Sequence, residues 1–210
     1  MPVDEAHWND LASLDPQEVI VRAQAQWDPR RGFGLPFLND IYWIHPLLKT
    51  IQPDRPDMPI EPHLPLLLAL YLLNAQNRPL QGVMVTEKEL PGGVFFFRRL
   101  HKLPTQRLED AYGTKPAVFL KAGRSLGGRI LGSSPPAFEL TPLPRVVVAF
   151  RLWPADEEFP ARCVVTFDAS INTHLPLDVI WAMTNVLVER LTSAGGVDGL
   201  GGLDSADRGN

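Results

Sequence analysis

The ten-residue run Leu64–Leu73 (LPLLLALYLL) constrains this chain more than any other stretch. Ten residues are too few to cross a bilayer, which needs about 20. Read as a helix from about Pro65 to Gln76, the segment has no polar face until Asn74. A helix that is apolar all round is buried on all sides. The rest of the chain must therefore wrap it, and 210 residues with 45% apolar and 21% charged content suffice for one domain with a real core.

The wrapping elements follow from local pattern. Asp15-Pro16-Gln17-Glu18 reads as a helix start, with Asp15 capping, Pro16 in the first turn and Glu18 placed for a capping box. Asp28-Pro29 is its expected end. Residues 35–44 predict a hairpin around Asn39-Asp40. Residues 50–62, with four prolines and three acids, read as an extended loop. Gln81–Thr86 predicts a short strand and Pro91-Gly92-Gly93 a turn, while Phe95-Phe96-Phe97 fits strand or helix. Two further helices are expected over Pro104–Tyr112 and Pro116–Leu126, stopped by Gly113 and by Gly127-Gly128. Arg145–Trp153 (RVVVAFRLW) and Ala161–Asp168 (ARCVVTFD) are rich in β-branched residues. Their acidic link suits an antiparallel hairpin, and apolar residues on both faces predict interior strands. Residues 129–131 and 137–141 are expected as edge strands.

The last helix, from about Pro176 to Leu191, carries only a narrow polar stripe through Asp178, Asn185 and Glu189. Its apolar remainder needs another helix or another subunit, so a homo-oligomer is expected. The Gly- and Asp-rich stretch 193–210 reads as a disordered, dispensable tail following a single domain over 1–192. The fold class expected is α+β, an antiparallel sheet covered by apolar helices.

Net charge is −4, which gives no general attraction to nucleic acid or to acidic membranes; neither is an expected partner. The N-terminus lacks an apolar signal segment, and the lone Cys163 rules out an intramolecular disulfide. Both suit a cytoplasmic protein.

Two stretches resemble the prokaryotic family called domain of unknown function 3786. One is Leu66–Gly93 and the other Leu143–Leu191. They share a layout of Leu-rich helix, Glu-Leu-Pro-Gly-Gly turn, Leu-Pro-Arg strand start, acidic hairpin, Phe-Asp strand end and final helix. The resemblance implies a compact α+β domain and carries over no catalytic residue. Some relatives appear with a cysteine-rich iron–sulfur segment, from which this chain departs. No cofactor is implied.

Gly123-Arg124-Ser125-Leu126-Gly127 fits G-x-S-x-G, with Asp168 and His174 following in triad order. A nucleophile elbow needs a strand before the serine and a helix after it. Gly127, Gly128, Gly132, Pro135 and Pro136 oppose that helix, so the motif reads better as a helix end. His7, His45, His63, His101 and His174 share no metal-ligand spacing. Asp156-Glu157-Glu158 reads as a solvated hairpin tip and Cys163 as a buried thiol.

Charge is uneven. Between Gly93 and Ser133, eight bases oppose two acids (8 − 2 = +6), leaving 12 − 22 = −10 elsewhere. Within that segment Arg98, Arg99, Lys102, Lys121, Arg124 and Arg129 are the candidate binding residues for a small anion. The expected function is a non-enzymatic binding or assembly module. An enzyme of unknown class, with Ser125 as nucleophile, is the alternative.

Overall fold

A computed structural model describes residues 2–196. The chain opens with helices α1 (Glu5–Ala12) and α2 (Pro16–Ala23). Each is capped by an aspartate: Asp4 accepts from the His7 amide and Asp15 from the Gln17 amide. Glu18 pairs with Arg22 rather than closing a capping box. The helix stops at Ala23, earlier than Asp28-Pro29, because Gln24 turns left-handed and the chain enters a strand.

Strands β1 (Gln26–Asp28), β2 (Gly32–Phe37), β3 (Asp40–His45) and β4 (Thr50–Pro53) form an antiparallel sheet in that order. The hairpin expected around Asn39-Asp40 is present, with Leu35 opposite Tyr42. The loop expected over 50–62 is only partly a loop. β4 is an edge strand, where proline at the strand end costs no ladder bond.

Helix α3 (Leu64–Asn74) is the apolar run, and most of its side chains are fully buried. After it come β5 (Met84–Val85), the short helix α4 (Gly93–Phe96), α5 (Thr105–Tyr112) and α6 (Pro116–Ser125). Strands β6 (Arg129–Ser133), β7 (Pro136–Leu143), β8 (Val146–Trp153) and β9 (Arg162–Asp168) join β5 in a second antiparallel sheet, ordered β5-β9-β8-β7-β6. The strands thus divide between two sheets rather than one. β7 is interior, not an edge; β6 takes the edge.

One face of the second sheet is dry, with Val148, Phe150, Leu152, Cys163, Val165 and Phe167 all buried. Helices α5 and α6 cover it, against β9 and β7 respectively. The other face is closed only in part. Val147 and Ala149 are buried there, while Arg151, Trp153 and Arg162 face solvent. The alternation of β8 shows why: after Phe150 every second residue is polar or amphipathic.

Helix α7 (Leu177–Ala194) packs on α3, α5 and α6. Its apolar surplus is therefore met within the chain, and it no longer argues for a second subunit. Nor does the helix stop at Leu191. Ser193 and Ala194 complete it, and Gly195 sits against Tyr112, whose hydroxyl donates to the Leu191 carbonyl. The remainder of the expected tail, 197–210, lies outside the described residues.

A Cβ on Gly195 would come within 2.3 Å of the Tyr112 hydroxyl oxygen. Gly195→Val is expected to destabilise the fold by about 1–3 kcal/mol through overpacking. A thermal melt checks this, since each kcal/mol shifts Tm by roughly 2–4 °C at this size.

Candidate functional site

Three turns meet at one end of the five-stranded sheet and border a cleft of about 830 Å³. They are the start of α6 at Pro116, the β6–β7 turn at Ser133–Pro136 and the β8–β9 link at Pro154–Ala161. Ligand sites commonly occupy roughly 300–1,000 Å³ and are mainly apolar. Here Trp153, Phe159 and the prolines Pro116, Pro135, Pro136, Pro154 and Pro160 supply the walls. Proline has a fixed φ and no N–H, so these walls are stiff and poor in donors. Trp153 ends β8 directly opposite Arg162, which begins β9. Asp156 also lines the cleft, but its carboxylate accepts from the Glu158 and Phe159 amides at 2.9 and 2.7 Å and so holds the turn that carries Phe159. That use of Asp156, with Glu157 and Glu158 in solvent, fits the expected hairpin tip. The Arg162 side chain has no ion-pair or hydrogen-bond partner among the described residues, which leaves its guanidinium available. The cleft can hold an apolar body and fix one anionic group. It holds no paired base and nucleophile.

A second cleft, 340 Å³, lies over a buried ionic cluster. Arg190, on α7, is 7% exposed. Its Nε donates to Glu61 Oε1 at 2.6 Å, and its Nη2 donates to the Tyr42 hydroxyl at 2.6 Å and to Glu61 Oε2 at 3.1 Å. Asp40 Oδ2 lies 3.9 Å from Nη1, and Arg55 closes the other side of Asp40. Burial pulls the Arg190 pKa down, but the hydrogen bonds and charge of Glu61 outweigh it and leave the group more basic than usual. Two acids (Asp40, Glu61) and two bases (Arg55, Arg190) cancel, so the cluster is self-neutralised and has no surplus charge for an anion.

Ser125 lines this second cleft, at the end of α6. A helix precedes it and strand β6 follows, the reverse of a nucleophile elbow. Its hydroxyl donates to the Ala122 carbonyl at 2.8 Å. Both motif glycines have packing roles. A Cβ on Gly123 would meet the Phe138 ring at 2.5 Å, and Gly127, at φ +82°, leaves room for the Asn39 side chain. Asp168 and His174 are engaged elsewhere. Asp168 is buried, which raises its pKa. Bonds from the Ser170 hydroxyl and from the Ser170, Gln81 and Gly82 amides outweigh that and hold it below the usual carboxylate range. His174 is fully buried and accepts from the Gln76 amide through Nδ1. Burial first, and the Arg145 charge second, keep its pKa low.

The six basic candidates do not share one pocket among the three principal clefts. Arg98, Arg99 and Lys102 follow α4, and Arg98 lies over the Phe95 ring at 5.4 Å. Lys121 and Arg124 share an exposed side of α6. Arg129, on β6, bonds Glu139 across the ladder at 3.0 Å. Lys102 alone lines a cleft, and Glu87 and Glu109 line it too. Cys163 is buried there, and burial together with Glu109 pushes its thiol up to about 12. Among the described residues no group of three or more His, Cys, Asp or Glu could hold a metal ion. No described helix is long and apolar enough to cross a membrane.

Sequence reasoning missed the Trp153–Arg162 pair and the Arg190 cluster. The first has a faint signal, an aromatic and a base flanking a proline-bounded link. The second has none, since Arg190 and Glu61 are 129 residues apart.

The family model described as Domain of unknown function (DUF3786) matches residues 15–190, so the chain belongs to that family. No curated protein and no solved structure matches it.

With its hydroxyl committed to the Ala122 carbonyl and no base bonded to it among the described residues, Ser125 is expected to resist a fluorophosphonate probe. Mass spectrometry after labelling checks this; a Ser125 adduct lost in Ser125→Ala would reverse it.

Proposed function

We propose that this member of the family is a non-enzymatic binding module whose ligand is a small apolar molecule bearing one anionic group. The observation that carries the reading is the sheet-end cleft. It sets an indole and five prolines around a single guanidinium, Arg162, which forms no ion pair among the described residues. An apolar cavity supplies affinity through the area it removes from water. One charged group at its wall fixes orientation through a charge-assisted hydrogen bond. Of the polar side chains in its lining, Asp156 holds the hairpin backbone through Oδ1, and Ser133 and Ser134 stand on the β6–β7 turn with no base bonded to them among the described residues. This reading assigns the anionic group to Arg162, a residue outside the basic segment, on the strength of its position in the cleft wall.

Trp153 provides the probe. Decanoate and 8-anilinonaphthalene-1-sulfonate each join an apolar body to one anionic group. Titration of either is expected to change Trp fluorescence with saturation and to raise Tm. Arg162→Gln should weaken binding on the order of tenfold, the loss of a charge-assisted contact, and Trp153→Ala should weaken it as well. Affinity unchanged in both variants would overturn the assignment.

A further inference from the structure

The segment Gly93–Lys102 presents the two most exposed large apolar side chains of the described residues, Phe95 at 79% and Leu100 at 89%, with Val94 also exposed. Interleaved with them are Arg98, Arg99 and Lys102, none of which pairs with a carboxylate among the described residues. The segment contains no acid and carries +3, so the rest of the chain carries 17 − 24 = −7. We propose that this segment is a docking surface for an anionic lipid bilayer, entered by Phe95 and Leu100 and held by the three cations.

The apolar side chains are held outward by the build of the segment. Gly93 abuts the Glu87 carbonyl so closely that a Cβ would stand 1.9 Å from its oxygen, which fixes the start of α4. The Phe97 amide donates to the Gly93 carbonyl at 3.0 Å, and the Arg98 amide to Phe96 at 2.8 Å. Arg99 adopts a left-handed φ of 49°, unfavourable for a residue with a side chain and kept only where surroundings enforce it. The base is pinned by rings: His101 stacks on Phe96 at 4.4 Å and meets Trp181 of α7 edge-on at 5.6 Å. The Trp181 indole donates to the Lys102 carbonyl at 3.2 Å. Phe97 turns inward and is buried. The backbone is thus ordered while Phe95 and Leu100 stand in water, a placement that burial would favour reversing.

Chemistry selects the partner. Apolar tips among arginine and lysine match a bilayer interface, where the tips reach the acyl boundary and the cations meet anionic headgroups. A protein partner would need a pocket shaped for each projecting tip, whereas a fluid lipid interface accepts them without preformed shape. The negative remainder of the chain would orient the molecule with this segment toward the surface. Peripheral docking of this kind needs no spanning helix, and it concerns residues that do not line the sheet-end cleft.

The test is co-sedimentation of the full chain with phosphatidylcholine vesicles, with and without about 30% phosphatidylglycerol, at low and high salt. Binding is expected only with phosphatidylglycerol, weakening as salt rises. Phe95→Ser with Leu100→Ser, and separately Arg98→Glu with Arg99→Glu, should each lower partitioning on the order of tenfold or more. These side chains are exposed, so Tm should stay level; if a pair unfolds, Lys102→Glu and the wild-type salt dependence carry the test. No binding to either vesicle, equal binding to both, or variants that bind like the parent would overturn the proposal. So would capture by polyglutamate in place of vesicles, which would point to an acidic polypeptide.

Discussion

The Arg190 guanidinium is the joint on which this structure turns. It sits on α7, while its partners lie far back in the chain: Tyr42 on β3, Glu61 just before α3, and Asp40 at the start of β3. Phe37 lies beneath it at 5.0 Å. A buried ion pair is weak evidence for stability by itself, because desolvation offsets the Coulomb gain. It is strong evidence for a fixed arrangement, since removing one partner leaves a charge stranded in a low dielectric. The cluster therefore sets where the four-stranded sheet meets α7. The amide of Leu38, which donates to the Pro142 carbonyl, ties the two sheets at a second point.

Both candidate surfaces lean on the same helix. α7 supports α5 and α6, and α6 begins at Pro116 in the wall of the sheet-end cleft. Trp181, also on α7, pins the segment that displays Phe95 and Leu100. Position along one helix thus links the hairpin half of the molecule to the places where it meets other molecules. The cleft and the basic segment remain separate in composition. One is proline and aromatic with a lone guanidinium; the other is cationic with projecting apolar tips.

Much of the fold was legible because it rests on local rules. The Leu64–Leu73 run, the Asp15 cap, the glycine after α6 and the β-branched pair β8–β9 each declare themselves within a dozen residues. What was not legible depends on pairing at a distance. β4 was hidden by Pro53 and the prolines after it, which an edge strand tolerates. The separation into two sheets depends on which strands find which neighbours, and no local pattern encodes that. The surplus of apolar residues on α7 was visible, but its cover proved to be α3, α5 and α6. The site was less legible still. The charges of residues 93–133 could be counted, yet their dispersal over the α4 region, α6 and β6 follows only from topology. Gly123 and Gly127 mimicked a catalytic motif because a phenylalanine ring and an asparagine side chain need their space.

If Arg190 fixes α7 against the β2–β3 hairpin, its pairing with Glu61 must be strongly coupled. The direct measurement is a double-mutant cycle in urea on Arg190→Met, Glu61→Leu and the two together. Each single variant should lose on the order of 3–5 kcal/mol, having stranded a buried charge, and the double variant should lose less than the sum by well over 1 kcal/mol. Single variants within about 0.5 kcal/mol of the parent, or losses that simply add, would contradict the account.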